Sequence, residues 1–152
     1  MDKVSMVAIL NQQLQELSEE TILFHEAVAN ALGIHITDHK CLTILGRTGP
    51  LPISELAKRL GLSKSAATFM ADRLEKKHMV QRIASSTDRR KILIKPIPSP
   101  TSGQLKECFQ TLDQEMQKEL NSYSLEELEL ILHFVEATKS ALIKSWIGTK
   151  QI

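Results

Sequence analysis

Cysteine is scarce in this chain of 152 residues, which has only Cys41 and Cys108, far apart in sequence. Two such residues exclude a disulfide framework. Both read as small apolar side chains more readily than as redox sensors, although Lys40 sits beside Cys41. Long apolar runs are missing too. No stretch approaches the roughly 20 residues that span a bilayer, and no signal peptide is visible, so a soluble, cytoplasmic protein without a membrane partner is expected. There is no phosphate-cradling glycine loop, no nucleophile set beside a base, and no metal-ligand spacing. The five histidines are scattered, and His35 and His39 straddle a helix start, so a zinc site lacks ligands. An enzyme and a bound cofactor are both disfavoured.

What is present is a globular composition, 42% hydrophobic and 24% charged, in a length that makes one domain or two lobes sharing a core. The net charge of +1 conceals an asymmetry. Residues 47–95 hold twelve basic and four acidic residues, a balance of +8, while the remainder stands at −7. A basic lobe on an acidic body is the electrostatic footprint of phosphate binding, and duplex DNA is the partner it fits.

Residues 53–95 organise the chain. A short helical pattern from Ser54 to Leu60 meets Gly61, where a left-handed cap is needed. Ser63 is a good N-cap for a second helix, Lys64 to about Lys77. Ala67, Met70, Ala71 and Leu74 recur at helical spacing and face a core, leaving Ser65, Thr68, Phe69, Asp72 and Lys76 outside. Two helices joined by a short glycine turn form a helix-turn-helix, whose second helix enters a major groove. Strand-like segments at Met79–Ile83 and Lys91–Lys95 flank a polar loop that ends in Arg89 and Arg90, which makes a hairpin wing.

These residues also carry a resemblance. Glu55-Leu56-Ala57 with Leu60-Gly61-Leu62-Ser63, then Asp72-Arg73-Leu74-Glu75, then Asp88-Arg89-Arg90, in this order and spacing, resemble the DNA-binding lobe of the MarR family of bacterial transcription regulators. The resemblance implies a mainly α fold with a small β wing. Residues 37–95 would form the winged helix-turn-helix lobe, and residues 1–36 and 101–152 the dimerisation helices. It further implies a homodimer, a near-palindromic operator in double-stranded DNA, and a repressor released by a small-molecule effector. The effector would sit near Phe24, His25, His39 and the helix running from Asp38. The family's Asp-x-Arg signature falls on Asp88 and Arg90, so Asp72 would pair with Arg90 and hold the wing against the recognition helix. Pro52 stands where relatives carry a Ser or Thr cap, so that cap is lost.

The flanking segments read as helices. Val4 to Leu32 repeats Val7, Leu10, Leu14, Leu17, Phe24 and Val28 near helical spacing, and Thr37 is expected to cap a helix from Asp38 to Thr48. Leu51 to Ile53 suits a short third strand. Pro96, Pro98 and Pro100 interrupt regular structure before a helix from Ser102 to about Asn121. Ser124 and Glu127 form a capping box for a last helix reaching Trp146, with Leu125, Leu128, Leu132, Val135, Leu142 and Trp146 as one apolar face. Stripes of this length need a partner: they can pack against one another and against a second subunit, or close a monomeric core.

The expected DNA contacts are Ser63, Lys64, Ser65, Thr68, Phe69, Arg73 and Lys76 from the recognition helix, with Arg89, Arg90 and Lys91 from the wing. Free N–H groups at a helix start attract phosphate, and arginines in a wing suit a narrow minor groove. Phe69 either touches a thymine methyl or packs beneath the wing. Two other classes stay open: a protein-interaction winged helix without operator binding, which the +8 lobe opposes, and a small-molecule-binding protein.

Overall fold

Three helices end on the same device, and it sets where the chain reverses. In the computed structural model, which describes residues 1–86, 88 and 91–149 except for the side chains of 146–149, α1 (Lys3–Ala31) stops at Gly33. Gly33 takes φ 60°, and the N–H groups of Gly33 and Ile34 donate back to Asn30 and Ala29. The first helix of the helix-turn-helix, α3 (Ile53–Leu60), ends in the same way at Gly61, φ 69°, with Leu62 N–H donating to the Ala57 carbonyl at 2.9 Å. These are Schellman caps, and glycine serves them without a Cβ penalty. The recognition helix, α4 (Lys64–Lys76), closes on His78 at φ 54°, with Met79 N–H donating to the Leu74 carbonyl at 3.0 Å. Histidine tolerates the left-handed region better than most residues, so the chain turns into the wing without a glycine.

The core follows the α4 stripe. Ala67, Ala71 and Leu74 are 0% exposed and Met70 is 1% exposed. Leu56 of α3, Leu45 and Cys41 of α2 (Ile36–Thr48), Val80 of β2 (Val80–Ala84) and Ile94 of β3 (Ile92–Pro96) complete it. The two-residue strand β1 (Leu51–Pro52) joins the sheet in the order β1-β3-β2, all antiparallel, with Leu51 opposite Ile94 and Arg82 opposite Ile94 on the other side. Pro52 lies on an edge strand, where a missing N–H is tolerated. Its ring provides no side-chain cap for α3.

Two helix starts differ from expectation. Helix α2 begins at Ile36, and His35, not Thr37, is its N-cap; the imidazole accepts the Thr37 N–H at 3.3 Å. An imidazole nitrogen does here what a hydroxyl does elsewhere. Helix α5 (Pro100–Leu120) opens before Ser102. Ser99 and Ser102 cap one another, Ser102 N–H donating to Ser99 Oγ at 3.1 Å and Ser99 N–H to Ser102 Oγ at 2.8 Å. Pro100 therefore starts the helix instead of breaking it, since the first helical position needs no N–H.

The chain divides into two compact units, Met1–Cys108 and Phe109–Ile152. In the first, α1 buries only Val28 and Ala29 and leaves Val4, Val7, Leu10 and Leu17 exposed. In the second, the α6 helix (Leu125–Thr149) starts on the expected capping box, with Ser124 N–H donating to Glu127 and Glu127 N–H to Ser124 Oγ. Its Leu125, Leu130, Leu132 and Leu142 are each more than half exposed. The apolar surface of α6 is wider than the single expected face, since Leu130, Phe134 and Ile143 add to it. Trp146, expected on that face, lies outside the described side chains.

Candidate nucleic-acid interface

The start of α4 is built by hydroxyls. Ser63 Oγ accepts the Ala66 N–H at 3.1 Å and lies 3.0 Å from Ser65 Oγ. Thr68 donates its hydroxyl to the Lys64 carbonyl at 2.9 Å, which leaves the oxygen's lone pairs and the methyl facing outward. Because the inner stripe is buried, Lys64, Ser65, Thr68, Phe69, Asp72 and Lys76 share the solvent face, as their spacing predicts. Phe69 is 71% exposed, which removes the alternative that it packs beneath the wing. Lys64 and Lys91, one from α4 and one from the foot of the hairpin, line a single groove of about 500 Å³ with Pro52, Ser54, Glu55 and Ile92.

Arg73 is placed differently from expectation. Its guanidinium meets Asp38 of α2, Nε to Oδ2 at 2.8 Å and Nη2 to Oδ1 at 2.6 Å, with Thr37 Oγ1 at 3.4 Å. The carboxylate is fully buried, and its hydrogen bonds, opposed in part by burial, push the arginine's pKa further up. A buried carboxylate takes the nearest fork of N–H donors, and here that donor is on the recognition helix. Sequence held the signal: Asp38, Cys41, Leu42 and Leu45 form one buried helical stripe, so a carboxylate stands in a core position.

Asp72 has a partner that sequence did not identify. Among the described residues it pairs with Arg82 of β2 at 2.5 Å. Arg82 bonds Glu75 as well, and its backbone N–H donates to the same carboxylate at 3.1 Å. Arg82 thus ties strand β2 to α4, while the expected pairing of Asp72 with Arg90 falls on a residue that is not described. Arg89 and Arg90 lie outside the described residues. The wing's base is held by Ser85 N–H to the Lys91 carbonyl, Lys91 N–H to the Asp88 carbonyl, and Asp88 N–H to Ser85 Oγ at 3.4 Å.

These pairings sort the lobe's charge. Glu55 is engaged by Arg59, Asp38 by Arg73, and Asp72 and Glu75 by Arg82, while Lys77 donates to the Gly33 carbonyl. Lys58, Lys64, Lys76, Lys91 and Lys95 are exposed and make no ion pair among the described residues. Among the described residues, Arg59, Arg73 and Arg82 are therefore tied within the lobe, while these five lysines and Arg47 face solvent.

On the far side of α2 lies a cavity of about 280 Å³ lined by His25, His39, Lys40, Thr43, Ile44, Arg59 and Leu60. His25 Nδ1 and His39 Nε2 are 2.8 Å apart. Phe24 does not line the cavity; its ring meets His25 edge-on at 5.7 Å. Sequence placed both histidines near an effector but did not identify Lys40 or Arg59 there, since neither belongs to a motif.

A helix-turn-helix with a buried inner stripe, a polar outer face and a three-stranded wing defines a winged-helix DNA-binding protein. Comparison with known proteins agrees. The MarR family model matches residues 34–92. The uncharacterized HTH-type transcriptional regulator YcgE of Bacillus subtilis (strain 168) is 40% identical over 124 residues, 82% of this chain and 80% of YcgE. The HTH-type transcriptional repressor MdtR of the same organism is 45% identical over 51 residues, 34% of this chain and 33% of MdtR. Among solved structures, a MarR family protein from Bacillus stearothermophilus shares the fold with a TM-score of 0.68 at 18% identity, covering 94% of this chain and 99% of that one. This chain belongs to the MarR family, and it is a DNA-binding transcription regulator. The relatives it matches are named as transcriptional regulators. No described helix is long and apolar enough to cross a membrane.

Proposed function

We propose that the protein binds a near-palindromic operator as a homodimer, represses from it, and leaves it when a small molecule enters the cavity beside α2. Residues 37–95 act as the DNA-binding lobe, and residues 1–36 and 101–152 supply the dimerisation helices. Ser63, Lys64 and Ser65 meet phosphate at the start of α4, while Thr68 and Phe69 read base edges. Lys76, Lys91, Arg89 and Arg90 add phosphate or minor-groove contacts, and Asp72 and Asp88 hold the wing. The observation that carries this reading is the outer face of α4, exposed and polar beside five exposed lysines. The apolar α6 surface supports the dimer, because patches of this extent mark interfaces. Two-fold symmetry then sets two half-sites about one helical turn apart.

Duplexes selected by the purified protein from a random pool test it. The expected result is an inverted repeat, bound with a steep fall in affinity as salt rises. Recovery of no common sequence would overturn operator binding. Effector release is tested by reciprocity: a molecule that weakens DNA binding by a given factor must itself bind the DNA complex more weakly by the same factor.

A further inference from the structure

The most constrained polar contact of α4 lies away from its DNA-facing side. We propose that Asp38 is a positioning residue for DNA recognition: by holding Arg73 it fixes the roll of α4, and Arg73 meets Asp38 instead of DNA. The proposal rests on the reading of α4 as the recognition helix. Asp38 is 0% exposed, so its carboxylate cannot trade partners with water. Both of its oxygens accept from one planar guanidinium, and a two-point fork fixes an angle where a single contact fixes only a distance. The residue before Arg73 on α4, Asp72, is held by Arg82 of β2 at 2.5 Å. Adjacent residues on a helix point roughly 100° apart, so the two ties run to different elements and together resist rotation. Thr68 and Phe69 project from the turn before them. With a helix radius of roughly 5–6 Å including side chains, a roll of about 15° would move their tips by about 1.5 Å, enough to break a hydrogen bond to a base edge.

Titrations over a range of salt, on the selected operator and on a scrambled duplex, test the proposal with the full-length protein. Arg73→Lys keeps the charge and loses the fork; it is expected to weaken operator binding about tenfold and leave the scrambled duplex unchanged. Asp38→Asn with Arg73→Gln removes both charges without stranding either, and is expected to weaken the operator no more than Arg73→Gln alone. In all three, the slope of log affinity against log salt should stay at the wild-type value. A slope lower by about one on both duplexes would make Arg73 a phosphate contact and overturn the proposal. So would operator affinity left intact by Arg73→Lys. A wild type that does not discriminate the two duplexes would instead remove the reading of α4 on which the proposal stands.

Discussion

Lowering the pH should destabilise this protein through the histidine pair that joins α1 and α2. His39 is fully buried, and its ring nitrogen lies 2.8 Å from that of His25, with Lys40 on the same cavity wall. One of the two nitrogens must carry the proton and the other must accept it, so protonating both rings replaces a hydrogen bond with two facing cations. Burial pushes the pKa of His25 below the ordinary histidine value, and the charge of Lys40 adds to this. Burial does the same to His39, followed by the charges of His25 and Lys40. With both values depressed in the folded state, the unfolded chain takes up protons first. Stability from the neutral pair is therefore fully present above the unfolded value of about 6.5 and declines as pH falls towards the folded values. Within that window each ring contributes a slope of at most about 1.4 kcal/mol per pH unit, so the pair contributes at most about 2.7. Urea unfolding followed by circular dichroism at one protein concentration, from about pH 8 down to about pH 5, measures it. His25→Gln with His39→Gln should flatten the curve through this window, where carboxylates contribute little. Equal steepness in wild type and double variant would refute the reasoning.

Burial, with a further contribution from Asp38, pushes the Cys41 thiol up to about 12, so alkylation of the native protein near neutral pH should spare Cys41 until denaturant is added; peptide mapping that finds Cys41 labelled in the native state would contradict its buried setting. Leu74→Ala empties a position that is 0% exposed and should lower stability by about 2–5 kcal/mol in urea unfolding. Leu128→Glu with Leu132→Glu places charge on the α6 surface, and sedimentation should show monomers that have also lost operator binding. A double variant that still sediments as a dimer would move the interface elsewhere.

The parts of the fold that sequence revealed are those fixed by neighbours. The α4 stripe, the Gly61 cap, the Ser124–Glu127 box and the short strand at Leu51 each depend on residues within a turn or two of one another. His78 escaped because a non-glycine left-handed cap is selected by the packing that follows it, with Met79 and Val80 both buried. Ser99 escaped because Pro100 reads as a breaker until the serine before it is recognised as a cap. In the candidate site, the outward face of α4 was legible from period alone. Partner choice was not. Arg73 and Asp38 are 35 residues apart, and the carboxylate that wins an arginine is decided by which one burial leaves without water. The same holds for His25 and His39, 14 residues apart on different helices. Arg82 meets Asp72 from a strand whose register sequence does not set.

The central claim is that the outer face of α4 reads bases, and Thr68 tests it most directly. Its hydroxyl proton is held by the Lys64 carbonyl, so what it offers DNA is an acceptor and a methyl, both of which discriminate bases and neither of which neutralises phosphate. Affinity of Thr68→Ala and wild type should be compared on the selected operator and on a scrambled duplex at the same salt. The predicted result is a loss of about 1–3 kcal/mol on the operator with no change on the scrambled duplex. Equal losses on both, or none on either, would contradict the assignment of α4 as the recognition helix.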